Sequence, residues 1–491
     1  MNEALEKKAP GKGKMSIFEY IGYCCGEMGY TMQNTIIASY MVMYFTNAVG
    51  IAPMIIGTMT LLCRIVDAFT DVGFGLLADK TNTRLGKFRP WYMGSIIPCS
   101  LAFLFVFFVP GSIGTGSAMA VLWMYIMYIL WGSVFATINY TWLNAQPAVA
   151  TANPMERRNM STWRQWGASL IGVVVSYLGI DLIIKYNIPE MMAAGNPNAS
   201  PMSFRHGYMI MGLLVGGISL VLMIVAAIAC KERVKAAKDE KASVPFKDGL
   251  KACKGNKLLW GALLMNVMMF FMATYTTGMT GYFYENYYGD PSAIGGIMAA
   301  GGIIGLVFNT LVTPILNKKL RKEQLHIIAI CGIIVAFLII FFSPVTSRVG
   351  FIIGWGVFQS MIQLANAMFF RTLPDAIDWG EWKHGVYAPG IISSVTSFVQ
   401  KIGMGIASFL LTAVLTIIGY SEVLAVSGQP QSAATIQGIH VAYLVGPVVL
   451  ILLTLIGYFL IRSVPKSEIL QMRKDLAAKR GVEFDEKTAL N

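Results

Sequence analysis

Long apolar stretches alternate with short polar ones along the whole chain. Twelve of the apolar stretches are long enough to cross a hydrocarbon core about 30 Å thick, which takes about 20 residues each. They fall at about 17–46, 53–78, 91–110, 117–146, 164–186, 207–230, 258–286, 292–316, 325–343, 349–372, 389–420 and 438–462. Backbone groups in lipid must pair within the segment, so the spans are predicted to be helices. The period-2 alternation of a membrane barrel is absent.

Composition agrees with the pattern. Of 491 residues, 55% are hydrophobic and 13% charged, against about 25% charged in an average soluble domain. The net charge of +12 alone would suggest a nucleic-acid partner. Its distribution argues otherwise: 33 of the 38 Lys and Arg lie on one side of the alternating spans. That asymmetry predicts both termini in the cytoplasm, with the basic residues meeting membrane lipid headgroups rather than nucleic acid. The seven Cys show no metal spacing and are expected to be unpaired. The four His show no HExxH spacing, which argues against a membrane-embedded metalloenzyme. Residues 1–16 are polar and basic, and no cleavable signal peptide is expected.

The stretch 231–257 is the only long charged interior segment and divides the spans six and six. The predicted organisation is a cytoplasmic segment 1–16, a six-helix bundle 17–230, a linker 231–257, a second bundle 258–462 and a tail 463–491. A short basic turn follows span 2 and recurs after span 8. The expected fold class is an all-α membrane protein with 12 transmembrane helices in two six-helix bundles, the architecture of the major facilitator superfamily. Gly22 with Gly26, and Gly301 with Gly305, are spaced to bring helices close.

Charges inside spans cost roughly 2.5–3.5 kcal/mol each on insertion scales, so they mark function by default. Span 2 carries Arg64, Asp67 and Asp71, and Thr70 lies on nearly the same helix face. Two carboxylates and a hydroxyl form an oxygen site for a hard monovalent cation. Alternatively, one carboxylate takes a proton. An Arg64–Asp67 ion pair would explain one acid but not both. Glu27 lies in span 1, Asp181 near the end of span 5, and Lys401 deep in span 11 with Thr396, Ser397 and Gln400 beside it. Lys401 needs a counter-charge, and the span 2 acids are the candidates. Tyr30, Asn34 and Trp142 offer amide or polar-tipped aromatic surface suited to hydroxyls and ring faces.

The order RxxDAxxDxxxGxxxDxTxTRxGKFRPW, from Arg64 to Trp91, resembles the span 2–3 signature of the glycoside–pentoside–hexuronide:cation symporters. GYCCGEMGYTMQN in span 1, MERRNMSTWRQ after span 4, PDAIDWGEWKHG after span 10 and SFVQK in span 11 are similar to further family motifs. The resemblance implies import of a sugar, glycoside or sugar acid across a bacterial cytoplasmic membrane. It implies symport with Na+ or H+, alternating access, no cofactor, and a chain acting as a monomer. It places cation ligands at Asp67, Asp71 and Thr137, and at Thr70, where the family's type member has an Asn. Na+ would be held by the two acids only if it is the coupling ion. The resemblance puts sugar contacts at Arg164 and Lys401, and a cytoplasmic gate at Arg157, Asp375 and Asp378.

The departures concern the sugar-gripping acids. The span 1 acid position falls near Thr31, with Glu27 one turn earlier. The span 4 position falls on Asn139 or Tyr140, depending on a one-residue gap. An arginine often found near Tyr387 is absent. A pentoside, an acidic sugar or an oligosaccharide all fit such a pocket. The Met- and Tyr-rich span 7 keeps a lysolipid or other amphipath open as an alternative substrate.

Overall fold

The computed structural model describes residues 15–81, 83–151, 153–195, 199–233, 251, 253–344, 347–386 and 389–480. Most of the predicted cytoplasmic segment and linker, the end of the tail, and Tyr387 lie outside these residues. The described chain is helical, with one isolated bridge between Thr83 and Gly86. Its helices are α1 Ile17–Met43, α2 Pro53–Lys80, α3 Arg89–Val106, α4 Ala118–Tyr128, α5 Thr137–Ala150, α6 Pro154–Ala193, α7 His206–Ala229 and α8 Lys257–Tyr282. They continue with α9 Ala293–Val307, α10 Thr313–Lys319, α11 Lys322–Phe342, α12 Arg348–His384, α13 Pro389–Ile417, α14 Glu422–Val426, α15 Ala433–Arg462 and α16 Lys466–Arg480. Four π-helical segments continue or join these: Tyr44–Ala48, Ile129–Ala136, Phe283–Tyr287 and Phe308–Val312.

Among the described residues, ten helices are long and apolar enough to cross a membrane. The less apolar α1 and α3, of 27 and 18 residues, stand where spans 1 and 3 are predicted. Two helices overrun their predicted spans. The turn expected before span 5 is the first part of α6, because Asn153 caps it and Pro154 and Glu156 suit its first turn. The segment expected after span 10 is the end of α12, which stops at Gly385 in the left-handed region, with Lys383 and His384 in its last turn.

By packing, the chain divides into two units. One comprises Met1–Asp239, Thr277–Ala299 and Ser408–Ile439; the other comprises Glu240–Thr276, Ala300–Ala407 and His440–Asn491. In the first, α1 packs between α6 and α7. A Cβ on Gly22 would fall 2.2 Å from the Ala229 Cβ, and one on Gly26 3.0 Å from that of Ala226. The buried Gln33 amide joins three elements, donating to Ser219 Oγ at 2.7 Å and accepting from Trp131 Nε1 at 2.8 Å. At the basic end, Glu232 accepts from the backbone N–H groups of Lys87, Phe88 and Arg89 at the start of α3. Arg233 pairs with Glu19 at 2.6 Å. The start of the predicted linker is therefore tied to the bundle it leaves.

In the second unit, a Cβ on Gly301 or Gly305 of α9 would meet Trp355 or Gln359 of α12 at 2.5 and 3.0 Å. The tail helix α16 adds Met472 and Leu476 to a core that contains Leu259 and Trp379. These close approaches give a first prediction. Gly22→Leu forces α1 and α7 apart and costs about 1–3 kcal/mol, as overpacking does. It lowers the unfolding midpoint of the purified protein, whereas Gly217→Leu, on an open face of α7, does not.

Candidate functional site

The apolar run of α2 is long enough to carry its acids into the middle of the first unit, where Asp67 is 4% exposed. Ser133 Oγ donates to the Cys63 carbonyl at 3.4 Å and holds the neighbouring π-helical segment against α2 one turn before Asp67. The Arg64–Asp67 ion pair is present: Arg64 Nη1 donates to Asp67 Oδ2 at 3.0 Å. It uses one oxygen of one acid. Asp67 Oδ1 is buried and has no hydrogen-bond partner among the described residues. Such an orphaned carboxylate oxygen costs about 1–3 kcal/mol or more, which a cation or proton arriving there would offset. Asp71 lies one turn on, half-buried. The Thr70 hydroxyl donates to the backbone carbonyls of Val66 and Asp67, and that of Thr137 to the Gly132 carbonyl at 3.3 Å. Each donation spends the hydroxyl proton on backbone and leaves oxygen lone pairs, the form a cation ligand needs.

A second polar cluster lies between α1, α5 and α6. Arg164 Nε donates to Glu27 Oε2 at 2.6 Å, and its Nη1 to Asn144 Oδ1 at 2.7 Å. The guanidinium also lies over the Tyr140 ring, 5.6 Å from its centroid. Tyr140 stacks on Tyr30 at 5.2 Å. Thr31 Oγ1 donates to Glu27 Oε1, one turn earlier on α1, at 3.4 Å. Asn34 is turned to its own helix, donating to the Tyr30 carbonyl at 3.1 Å.

Two expected sugar contacts stand apart. Asn139 is fully buried and accepts from Ser95 Oγ at 2.7 Å, so of the two span 4 alternatives Tyr140 joins the cluster. Trp142 is packed in the core, stacked on Tyr92 with ring centroids 3.8 Å apart. Its ring face is covered, because helix rotation turns it away from Tyr140.

In the second unit, Gln400 of α13 donates to Asn266 Oδ1 of α8, and Asn266 Nδ2 donates to Asn366 Oδ1 of α12 at 3.2 Å. Thr396 is buried and bonds to the Ile392 carbonyl, Ser397 is exposed, and Lys401 is half-buried one residue beyond Gln400. Of the expected gate residues, Asp375 accepts from Arg473 Nη2 of the tail helix at 2.7 Å. Trp382 Nε1 donates to Asp475 at 2.8 Å and Lys479 pairs with Glu381 at 2.9 Å. Asp378 lies one turn from Asp375 on α12. Arg157, on the first turn of α6, donates to the Thr151 carbonyl at 2.8 Å. Sequence reasoning missed Asn144, Asn266, Asn366 and Arg473. An amide in mid-span was the available signal for Asn266 and Asn366.

A multi-pass helical membrane protein with paired acids and a half-buried arginine–aromatic cluster has the features of a transporter. The family described as MFS/sugar transport protein matches residues 22–462, and the chain belongs to it. It is 28% identical over 439 residues to the isoprimeverose transporter of Lactiplantibacillus pentosus, covering 88% of this chain and 85% of that one. It is 25% identical to the glucuronide carrier protein homolog of Escherichia coli (strain K12), covering 87% and 88%. Among solved structures, a bacterial homolog of the human lysosomal transporter Spinster has a TM-score of 0.65 at 14% identity, covering 92% of this chain and 97% of that one. The nucleoside transporter NupG has a TM-score of 0.60.

Proposed function

We propose that this chain imports a neutral sugar or glycoside by symport with Na+ or H+ through alternating access. The orphaned, buried Asp67 Oδ1 beside Asp71 carries the coupling half of the proposal. The names of the curated relatives support the sugar half. Asp67, Asp71, Thr70 and Thr137 hold the cation. In the first unit Glu27, Thr31, Tyr30, Tyr140 and Arg164 are the sugar-holding candidates; in the second, taken by itself, the candidates are Gln400 and Lys401. Arg164 is already neutralised by Glu27, which favours a neutral ligand over a uronide. Asp375, Asp378 and Arg157 belong to the cytoplasmic gate, and Arg473 of α16 joins them. The proposed setting is a bacterial inner membrane, with twelve spans in two bundles and the basic turns and both termini inside.

The deciding experiment is counterflow in proteoliposomes, with and without Na+ at fixed pH. Stimulation by Na+ names the ion, and equal exchange under all cation conditions defeats the symport reading. A further prediction concerns Lys401. Lys401→Ala retains sugar exchange but removes the dependence of sugar affinity on the cation, read by titrating sugar binding at several Na+ concentrations and pH values.

A further inference from the structure

The first unit holds another polar cluster, at the helix ends opposite the basic turns. Both α1 and α8 finish there in π-helical segments, Tyr44–Ala48 and Phe283–Tyr287, a geometry frequent at functional sites. Glu285 sits in the second. One of its carboxylate oxygens accepts from Asn47 Nδ2 at 2.7 Å and the other from Ser200 Oγ at 2.5 Å. The Asn47 amide is oriented by its other side, where Oδ1 accepts from the Tyr420 hydroxyl at 2.8 Å. Thr46 and Tyr282 share a hydroxyl–hydroxyl bond of 2.7 Å, and Ser203 Oγ donates to the Ala425 carbonyl.

These bonds join residues from 46–203 to residues from 282–425, across the predicted linker. A cavity of about 390 Å³ opens onto them, lined by Glu285, Asn286, Tyr420 and Gln429 among others. The proposed binding site uses none of these groups.

We propose that Glu285 is the clasp of the outer gate, a positioning residue that holds the far end of the carrier shut and must let go once in every cycle. A carboxylate suits this task. Its bonds to Asn47 and Ser200 are charge-assisted and roughly twice as strong as neutral ones, so they select one closed geometry. When water enters, the same oxygens exchange protein donors for water at a modest net cost. An apolar seal would instead lose its whole hydrophobic contribution at each opening. A Gln at 285 would still offer an oxygen to Asn47 and could turn its NH2 to the Ser200 hydroxyl, which can accept, but it would lose the charge that strengthens both bonds. The inference rests on the proposed orientation but not on the identity of the sugar.

The test places a reporter behind the clasp. Met43 is 1% exposed, and a Cβ on Gly281 of α8 would lie 3.1 Å from its sulfur, so Met43→Cys is covered while the two helix ends stay together. Right-side-out and inverted vesicles are treated with a membrane-impermeant maleimide, and the rate in the parent chain without the reporter is subtracted. From the outside, Glu285→Ala and Glu285→Gln label the reporter about tenfold faster or more, the equivalent of one lost charged hydrogen bond. Tyr420→Phe, which removes a single hydroxyl, raises the rate several-fold. Glu285→Asp, which retains both acceptors, falls between Glu285→Gln and the parent clasp. Tyr420→Phe keeps the test decisive if Glu285→Ala fails to fold. Unchanged rates in Glu285→Gln and Tyr420→Phe overturn the clasp. Acceleration seen only in inverted vesicles overturns its outer placement and the proposed orientation together, while leaving the sugar reading standing.

Discussion

In vesicles energised at about 100 mV, Asp67→Asn brings sugar to equilibrium and no further. A potential of that size supplies about 2.3 kcal/mol per coupled charge. At 1.4 kcal/mol per tenfold, this sustains roughly a 50-fold gradient in the parent chain. The mutant ratio is one. The amide occupies the same volume as the carboxylate, but it cannot hold a cation at the buried Oδ1 position or exchange a proton there. Its second effect is on folding, because Arg64 loses the partner it now holds at 3.0 Å. Breaking a fully buried pair costs about 3–5 kcal/mol; the Arg64 side chain is 24% exposed, so the cost here is smaller, and the yield of folded protein falls. Arg64→Gln added to Asp67→Asn restores the yield and leaves accumulation at one. Asp71→Asn acts in the same direction. Retained uphill accumulation in well-folded Asp67→Asn would sink the coupling site. Downhill exchange measured on the same vesicles separates lost coupling from lost protein.

The parts legible in the sequence are those that lipid makes expensive. The apolar runs located helix after helix, because a span that misses the hydrocarbon core leaves its surface unpaired. Asp67, Asp71 and Lys401 stood out because a charge in a span must be compensated. The apolar count could not show where a helix ends once it leaves the membrane. α6 and α12 run past their predicted spans on caps and charge, and they carry Arg157, Asp375 and Asp378 on helical turns. Neutral groups were harder to sort. Asn266, Asn366 and Gln400 form a chain only because three helices meet. Trp142 has the chemistry of a sugar platform, yet Tyr92 covers it. One residue of register decides between Asn139 and Tyr140, since a step of one residue on a helix turns a side chain by about 100°. Glu285 was not singled out in the sequence, because its partners Asn47 and Ser200 are far away along the chain.

Glu27→Gln reverses the preference between neutral and acidic sugars. In the parent chain the Arg164 guanidinium is held by the Glu27 carboxylate at 2.6 Å and by Asn144 at 2.7 Å, and Tyr140 lies beneath it. The pair as a whole is neutral. A hydroxyl of a neutral glycoside can donate to Glu27, which is 7% exposed and hence poorly screened. A uronide would bring its carboxylate toward that same anion. Replacing Glu27 by Gln removes an ionised acceptor, and a hydrogen bond to a charged group is worth about 1.5–3 kcal/mol. Neutral-glycoside affinity therefore falls roughly 10- to 100-fold. Arg164 becomes an uncompensated cation whose planar fork can take a carboxylate with two bonds, so uronide affinity rises about tenfold or more. Arg164→Ala behaves differently: it strands Glu27 without a counter-charge and weakens both ligands. The measurement is a thermal-shift titration of parent, Glu27→Gln and Arg164→Ala with a glycoside and its matching uronide, since apparent stability rises as RT ln(1 + [L]/Kd). If the ratio of the two affinities is the same in parent and Glu27→Gln, the Glu27–Arg164 pair does not face the sugar and its role is to hold α1 against α6.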